Sequence, residues 1–479
     1  MTADAVAPGV AATGSGAGAL ELVDALVPGG TYRTSRRETV RDVSGRPVAE
    51  LTLAPALYVG RTTDRLRRRP AVAAGWSPAE LTGRFRAAAT AFTTDRLGGL
   101  TPAEHHRRVA RTTGVPVSVV RAAAATVAAA TANAVGAAEQ ARPRGALPAD
   151  WRHGDVADGG AVLWRRRGRL LCVNASGNHP AVHSLWLEAL ALGYRVAVRP
   201  SRRDPFTAHR LILALRSAGF ADEDVLLLPC DHRVANELIR GGDLAMVFGG
   251  DDVVDRYTKG WSGTPVLPQG PGRVKLLVTG EWERHLDVIA DSVGGLGGVS
   301  CLNATAVLVA HDARGFAEAL AERLAALRPL PPEHEDAELP CLPLAEARRI
   351  DGFLRQRAAG ARAMGNTGIV HDLEDGSAAL RPAVHLLEDP AAEQLALEMP
   401  FPCVWVAPWS PERGTAPLRR SLVVGVATQD DALVDGLLAE PSIRNVYGLD
   451  RPTWWLPPGI PHDGYLAEFL MRSTALARR

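Results

Sequence analysis

The chain has 479 residues, of which 46% are hydrophobic and 22% charged, and its formal net charge is +1. This balance argues against nucleic acid or an anionic membrane surface as a partner. No apolar run reaches the roughly 18 residues that a membrane span needs. The length predicts two or three domains, and the composition predicts an ordinary soluble globular protein.

The cysteines and the N-terminus indicate a reducing compartment. The five cysteines are widely spaced and include no C-x-x-C pair, so neither a zinc site nor a disulfide framework is expected. The first residues lack the basic and apolar regions of a signal peptide. We therefore expect a cytoplasmic protein with free thiols and no bound metal.

The first third of the chain is predicted to be mainly helical. Residues 1–20 are rich in small residues and are predicted to form a disordered tail, and residues 30–62 carry β-like segments. Ser77 and Thr101 each begin a capping box with proline at the first helical position. The alanine-rich run 117–141 predicts one long helix.

Residues 155–170 predict a β-hairpin, with Gly159-Gly160 and Arg167-Gly168 as turn signals, which is a candidate oligomerisation arm. Strands and helices then alternate. Strands are predicted at 170–174, 195–198, 225–228 and 244–248, with helices at 180–192, 205–218 and 233–240. Such alternation predicts a parallel sheet with helices on both faces, which binds nucleotides at the carboxyl ends of its strands.

A second α/β block begins near Val274. Strands are predicted at 274–278, 304–309, 404–406 and 422–426, helices at 286–293, 315–327 and 430–438, and a loop at 328–342. We therefore divide the chain into a tail (1–20), a helical region with a Rossmann-type cofactor domain (21–273), a catalytic domain (274–450) and a C-terminal segment (451–479).

A glycine-rich turn ending in a cysteine marks the second block. It reads Gly297-Gly298-Val299-Ser300-Cys301, and strand-like residues follow at once. Glycines allow a close backbone approach to a ligand. A thiol presented on such a turn is a candidate nucleophile that holds an acyl group as a thioester.

Five segments in one order resemble the aldehyde dehydrogenase family over roughly residues 165–450. They are Gly177-Asn178-His179-Pro180, Arg199-Pro200-Ser201-Arg202, Phe248-Gly249-Gly250, Cys301 and Glu398-Met399-Pro400. Each segment alone is a weak signal, but the ordered set is specific. The resemblance implies an α/β fold in which a Rossmann-type parallel-sheet cofactor domain is joined to a second α/β catalytic domain.

The resemblance also implies roles on the catalytic side. Cys301 would be the nucleophile, and Asn178 would form an oxyanion hole with the Cys301 backbone N–H, where preorganised donors stabilise developing charge. Glu398 would contact the nicotinamide ribose. Asn178 has an alternative role as the cap of a helix that begins at Pro180, and Glu398 has one as a strand-edge residue.

On the cofactor side, Arg199 and Ser201 would approach the adenine ribose, and Gly249-Gly250 would precede a helix that receives the pyrophosphate. NAD-preferring members have a glutamate at the position of Arg202, whereas a cation suits a 2′-phosphate. NADPH is therefore predicted over NADH. The alternative for Arg202 is a solvated loop residue, and the carboxylates of Asp251-Asp252 are unfavourable beside a phosphate.

One expected residue is absent. Hydrolytic members carry a glutamate about 30 residues before the cysteine, and this glutamate activates the water that cleaves the thioester. The matching segment here reads Leu267-Pro268-Gln269-Gly270-Pro271-Gly272 and has no carboxylate. The acyl-cysteine is therefore expected to exchange with another donor or acceptor, as in the CoA-acylating and acyl-reducing branches.

The chain is most similar to the acyl-CoA reductase branch, which includes the fatty-acid reductase component of bacterial bioluminescence. The segments that carry this likeness run from Asn178 to Trp186, from Phe248 to Val253 and from Gly459 to Tyr465. It implies NADPH-dependent reduction of an acyl-CoA or otherwise activated acyl group to an aldehyde. An acyl-activating partner protein and a homo-oligomer are also implied.

Alternatives remain. The enzyme could work in the oxidative direction, as a CoA-acylating or hydrolytic aldehyde dehydrogenase, or the chain could be a non-catalytic structural partner. His179, His183 and His462 are candidate proton carriers, although a structural role is favoured for each. Cys172, Cys230, Cys341 and Cys403 are predicted to be core or loop thiols.

Overall fold

The computed structural model describes residues 20–68, 76–148, 160–259, 261, 263–365, 368–457 and 459–477. The predicted tail, apart from residue 20, lies outside the described residues, as does the first part of the predicted hairpin.

The strands and helices are numbered in chain order. The strands are β1 (Glu21–Val23), β2 (Ala25–Val27), β3 (Gly30–Tyr32), β4 (Arg37–Arg41), β5 (Pro47–Thr52), β6 (Ala161–Arg166), β7 (Leu170–Asn174), β8 (Arg195–Arg199), β9 (Val225–Leu227), β10 (Leu244–Phe248), β11 (Val266–Gln269), β12 (Val274–Val278), β13 (Ala304–Val309), β14 (Cys341–Pro343), β15 (Arg362–Met364), β16 (Val370–Asp372), β17 (Ser377–Leu380), β18 (Ala383–Leu386), β19 (Cys403–Pro408), β20 (Ser421–Ala427), β21 (Ile443–Gly448) and β22 (Met471–Leu476). The helices are α1 (Ala56–Arg68), α2 (Pro78–Thr94), α3 (Pro102–Thr113), α4 (Val117–Ala132), α5 (Ala134–Gln140), α6 (Leu187–Ala191), α7 (Phe206–Ser217), α8 (His232–Gly241), α9 (Asp251–Thr258), α10 (Leu286–Gly294), α11 (Ala313–Ala325), α12 (Leu344–Arg357), α13 (Asp431–Ala439) and α14 (Leu466–Leu470).

The first large sheet has the order β11-β10-β7-β8-β9-β2-β3. Strands β7 to β11 are parallel, and β2 and β3 extend the sheet in antiparallel fashion. Strand β7 is apolar and buried from Leu170 to Val173 because both faces of the sheet are covered. Leu171 and Val173 pack into one core cluster, whereas Leu170 and Cys172 pack into another. The predicted parallel sheet with helices on both faces is confirmed.

The second large sheet has the order β15-β18-β19-β13-β12-β20-β21. Its strands from β18 to β21 pair in parallel, and only β15 is antiparallel. The predicted second α/β domain is therefore confirmed. In the first sheet the chain order reverses between β7 and β10, which lie side by side. Ligands of doubly wound sheets bind at such a switch point, at the carboxyl ends of the strands.

Several local predictions need correction. The described part of the segment predicted to be a hairpin, residues 160–170, does not form a hairpin. Strand β6 pairs instead with the C-terminal strand β22, over residues 161–166 and 471–476. The helix predicted at 117–141 is broken at Asn133. The helix predicted at 180–192 begins as a 3-10 helix over Pro180–Trp186. Helix α1 also begins within the region predicted to be β-like.

The capping boxes are confirmed. Ser77 accepts a hydrogen bond from the Glu80 backbone N–H, Thr101 does the same for Glu104, and both glutamates bond back to the cap. Within the described residues no single helix is long and apolar enough to cross a membrane. Helices α3 and α4 reach that length and composition only as a pair, which bends by 118° at its break.

Candidate active site

Cys301 ends the tight turn between α10 and β13. The backbone is left-handed at Leu296, Gly297 and Gly298, with φ of 54°, 71° and 65°. Glycine is needed at 298 for a second reason, because a Cβ there would lie 2.5 Å from the backbone nitrogen of Pro402. All five cysteines lie in the described residues, and Cys301 alone is not fully buried. The turn therefore presents one accessible thiol.

The buried side chain of Asn303 holds this turn in shape. Its Oδ1 accepts the Ser300 backbone N–H at 2.9 Å, and its Nδ2 donates to the carbonyls of Gly295 at 2.7 Å and Ser292 at 3.1 Å. No sequence pattern assigned a role to Asn303. The available signal was an amide directly before a mainly apolar strand, where a buried polar group needs partners.

Asn178 follows β7 and contacts the cysteine turn. Its Nδ2 donates to the Val299 carbonyl at 2.9 Å, and its Oδ1 accepts the Ser176 hydroxyl at 2.7 Å. The residue is exposed, so the second Nδ2 hydrogen is open to a ligand. The alternative role as a helix cap is wrong, because the cap is His179, whose Nδ1 accepts the Ala181 N–H.

His462 lies against the thiol. Its Nε2 is 3.3 Å from Cys301 Sγ, and its Nδ1 is buried without a partner among the described residues. A structural role was predicted for this histidine, because no nearby sequence pattern links positions 301 and 462. By contrast, His183 Nδ1 accepts the Trp186 indole N–H at 3.2 Å, which is a structural contact.

Burial keeps this pair neutral at rest. Burial raises the pKa of the Cys301 thiol to about 12, and the nearby Glu398 carboxylate contributes further. Burial also lowers the pKa of His462 to about 4. At neutral pH the sulfur therefore carries its proton and the imidazole is uncharged.

Glu398 joins the two halves of the chain. Its Oε1 accepts the backbone N–H of Arg273 at 2.5 Å, just before β12. Burial raises the pKa of this carboxyl, and hydrogen bonding to Arg273 opposes the shift. The adjacent Gly272 packs directly on the cysteine, because an added Cβ would lie 1.8 Å from the Cys301 carbonyl oxygen. The segment 267–272 therefore ends against Cys301.

The loop after β8 carries the predicted ribose contacts. The guanidinium of Arg199 is buried and donates to Asn174 Oδ1 at 2.9 Å and to the Cys230 carbonyl at 3.0 Å. Ser201 Oγ accepts the Arg203 N–H at 3.2 Å. Arg202 is neither free nor merely solvated, because it forms a 2.7 Å ion pair with Glu38 of β4. The ribose contacts of these residues stay predictions.

Gly249 and Gly250 connect β10 directly to the N-terminus of α9. Gly250 caps the helix without a side-chain hydrogen bond, and a Cβ there would meet no atom within 4 Å, so there is open space beside the start of α9. The helix start is not purely acidic, because Asp251 is paired with the buried Arg273 and lies 3.9 Å from Arg420. These residues fit the diphosphate of a dinucleotide.

A model of the aldehyde dehydrogenase family matches residues 168–412, just over half of the chain. The chain belongs to the aldehyde dehydrogenase family. The matched range includes Asn178, Cys301 and Glu398, so the predicted family is confirmed. The finer assignment to an acyl-CoA reductase branch does not follow from this match.

Individual relatives of this aldehyde dehydrogenase family member are distant. A probable acylating methylmalonate-semialdehyde/malonate-semialdehyde dehydrogenase of Caenorhabditis elegans is 25% identical over 154 residues, which cover 30% of this chain and 29% of that protein. Solved structures show the fold. An indole-3-acetaldehyde dehydrogenase complexed with NAD+ superposes with a TM-score of 0.80 at 17% identity, covering 95% of this chain and 96% of the other. A variant of 1-pyrroline-5-carboxylate dehydrogenase from Thermus thermophilus gives 0.78 at 15% identity, with coverages of 96% and 93%.

Proposed function

We propose that this chain reduces an activated acyl group to an aldehyde with NADPH, through a thioester at Cys301. The observation that carries the proposal is the segment 267–272, which packs against Cys301 through Gly272 and contains no carboxylate. Without a base that activates water, the thioester persists long enough to be reduced. The acyl donor is an acyl-CoA or an acyl group supplied by an activating partner protein, as in the acyl-CoA reductase branch.

The residues of the chain divide the chemistry among them. Cys301 attacks the acyl carbon and holds the acyl group. The free Nδ2 hydrogen of Asn178, together with the Cys301 backbone N–H, stabilises the oxyanion of each tetrahedral species. The nicotinamide cofactor, when bound, supplies the hydride that reduces the acyl carbon. Gly249, Gly250 and the N-terminus of α9 would hold its diphosphate, and Glu398 would orient its ribose.

NADPH is favoured by the charge on the loop after β8. Arg202 is 43% exposed, and its pair with Glu38 is a surface ion pair, which contributes at most about 1 kcal/mol. A 2′-phosphate carries more charge than a carboxylate and can compete for the guanidinium. NADP is thus proposed as the cofactor, and a homo-oligomer in the cytoplasm as the working form.

The second candidate is a CoA-acylating aldehyde dehydrogenase that works in the oxidative direction. The relative from Caenorhabditis elegans is named as acylating. In this chain an acylating oxidation would pass through the same Cys301 thioester in the opposite direction. Neither candidate function needs a carboxylate that activates water. The two differ in the direction of the reaction, and they share the thioester intermediate.

Intact-mass trapping tests the intermediate. The protein is incubated with a panel of acyl-CoAs and activated aryl acids, without cofactor, and one acyl adduct per chain is expected. Cys301→Ala should abolish the adduct, whereas the control Cys172→Ala, which alters a buried thiol in β7, should retain it. Adding NADPH should then discharge the adduct as aldehyde.

The direction is tested with aldehyde and NADP, with and without CoA. Slow acid formation without CoA is expected. Fast acid formation in the absence of any thiol acceptor would show a hydrolytic enzyme and overturn the proposal. An adduct that persists in Cys301→Ala would show that the nucleophile is another residue.

A further inference from the structure

The C-terminal segment brings an imidazole to the nucleophile. His462 Nε2 lies 3.3 Å from Cys301 Sγ, within hydrogen-bond reach of sulfur, although 161 positions separate the two residues. Its other ring nitrogen, Nδ1, is buried and has no partner among the described residues. A buried polar atom left unpaired is costly, which argues against a purely structural histidine at this place.

The position of this imidazole is set by a neighbouring strand. The His462 carbonyl accepts Asn445 Nδ2 at 2.8 Å, and Asn445 also donates to the Leu422 carbonyl at 3.1 Å. The next residue, Asp463, is paired with Arg444 at 3.1 Å. Strand β21 therefore holds the chain at His462 and Asp463, and this anchor does not depend on a ligand.

We propose that His462 is the catalytic acid and base of this site, taking the proton of Cys301 during acylation and protonating the Cys301 thiolate when the aldehyde leaves. The segment 267–272 lacks the carboxylate base of hydrolytic members. His462 supplies a base for deprotonating the cysteine, but it does not supply one for activating water. A cysteine is activated in this way by an adjacent histidine in unrelated enzymes. Unlike a carboxylate that activates water, His462 contacts the sulfur itself, so it promotes thioester formation without promoting hydrolysis.

The protons and electrons balance in each step in which His462 would act. In acylation the S–C bond forms, the bond from carbon to the donor's leaving group breaks, and the thiol proton passes to Nε2 and then to the leaving group. In reduction, which rests on the proposed function, the acyl carbon gains two electrons and the nicotinamide is oxidised. The C–S bond then breaks, and Nε2 protonates the departing thiolate with a proton taken up from solvent.

The other charged groups around the pair do not replace it. Glu398 and Asp463 both act on the thiol as negative charges and raise its pKa. Arg444 faces Asp463 and is already paired with it. Carboxylates disfavour a thiolate, so the only neighbour among these that can stabilise the developing sulfur charge is the imidazolium formed at His462.

The test is alkylation of Cys301 by iodoacetamide in the full-length protein, followed by intact mass and peptide mapping between pH 5 and 10. It requires neither an acyl donor nor a cofactor. His462→Phe, which keeps the ring but has no nitrogen, should slow alkylation at pH 7 by at least about tenfold and shift the profile towards the pKa of the unassisted thiol. The control His311→Gln alters an exposed histidine at the other end of β13 and should have no effect.

A cavity variant provides a second arm. His462→Ala should show the same slow alkylation, and free imidazole should restore the rate, whereas a structural role would not be rescued. If His462→Phe does not fold, as judged by circular dichroism, His462→Gln replaces it, with the same expected loss. Unchanged alkylation rates and pH profile in a folded variant would overturn the inference.

The two proposals fail separately. A His462-dependent thiol in a protein that never reduces an acyl donor would refute the proposed function and leave the role of His462 intact. Acyl reduction with alkylation that does not depend on His462 would refute only the inference.

Discussion

The cysteine turn and the loop after β8 both carry predicted site residues, but they are held by different kinds of contact. The turn is held by neutral hydrogen bonds from Asn303, and Asn178 reaches it through Val299. The cofactor side also contains ion pairs, Arg202 with Glu38 in the loop after β8 and Arg273 with Asp251 at the start of α9. Neutral contacts preorganise a reacting atom, whereas ion pairs can be exchanged for a charged ligand. Rigidity is therefore concentrated where bonds change, and exchangeable charge where a phosphate is predicted to bind.

The largest effect is expected at Asn178. Asn178→Ala removes a donor aimed at the predicted oxyanion, so kcat should fall by about 10²–10³-fold. Because Asn178 is exposed, the free energy of unfolding should change little. The matched control is Ser176→Ala, which removes only the hydroxyl that orients the amide. Steady-state kinetics and urea unfolding measure both quantities, and an equal loss in the two variants would argue against the oxyanion role.

Asn303→Ala should affect stability as well as rate. It leaves the Ser300 N–H and the Gly295 carbonyl without their partner inside the turn, which costs about 2–3 kcal/mol. Asn303→Asp keeps the acceptor for Ser300, but it turns a buried carboxylate oxygen towards the Gly295 and Ser292 carbonyls, so a loss at least as large as that of Asn303→Ala is expected at neutral pH. Urea unfolding gives the free energies, and the alkylation rate of Cys301 reports whether the turn has moved. A stable Asn303→Ala variant would mean that backbone contacts alone hold the turn.

Outside the site, the cofactor half contains a buried acid whose charge is not compensated. Burial raises the pKa of Glu188 to about 7, and a hydrogen bond from the Ala467 backbone N–H only partly opposes this. The folded state therefore binds more protons than the unfolded state between about pH 4.5 and 7, so stability falls as pH rises through that window.

Glu188→Gln should remove that pH dependence. Glutamine can still accept the Ala467 N–H, so the variant should be more stable than the parent by about 1–3 kcal/mol at pH 8 and nearly equal to it at pH 4.5. Thermal unfolding at the two pH values measures this difference. A gain that is the same at both pH values would show that burial of charge is not the cause.

The smallest effect is expected at the exchangeable pair. Glu38→Gln frees Arg202 and should raise the ratio of kcat/KM for NADPH to that for NADH by about two- to fivefold, since surface ion pairs contribute at most about 1 kcal/mol. Glu50→Gln is the matched control, because Glu50 pairs with Arg37 on the adjoining strands at 3.0 Å.

Arg202→Glu should move the same ratio in the opposite direction. If neither Glu38→Gln nor Arg202→Glu changes it, Arg202 does not bind a 2′-phosphate, and the predicted preference for NADPH is wrong. In that case the ion pair of Arg202 with Glu38 would not be exchanged for a phosphate, and the proposed difference between the cysteine turn and the loop after β8 would have no role in cofactor binding.

The regular elements were predictable because they depend on local pattern. Strands β7, β10 and β12 were predicted with the bounds that the structure shows, since each is a short and mainly apolar run between turn signals. The pairing of β6 was not predictable in this way. Its partner β22 lies about 300 residues away, and no local signal distinguishes that pairing from a hairpin.

The sequence by itself determined the α/β alternation, the family and the candidate nucleophile, because periodicity and ordered motifs are properties of neighbouring residues. Only the tertiary structure showed that His462 contacts Cys301, that Asn303 holds the turn and that Glu38 pairs with Arg202. Each of these contacts joins residues whose sidedness and distance depend on how separate elements pack, or, for Asn303, on the path of a left-handed turn. Such contacts depend on tertiary packing, which no single stretch of sequence predicts.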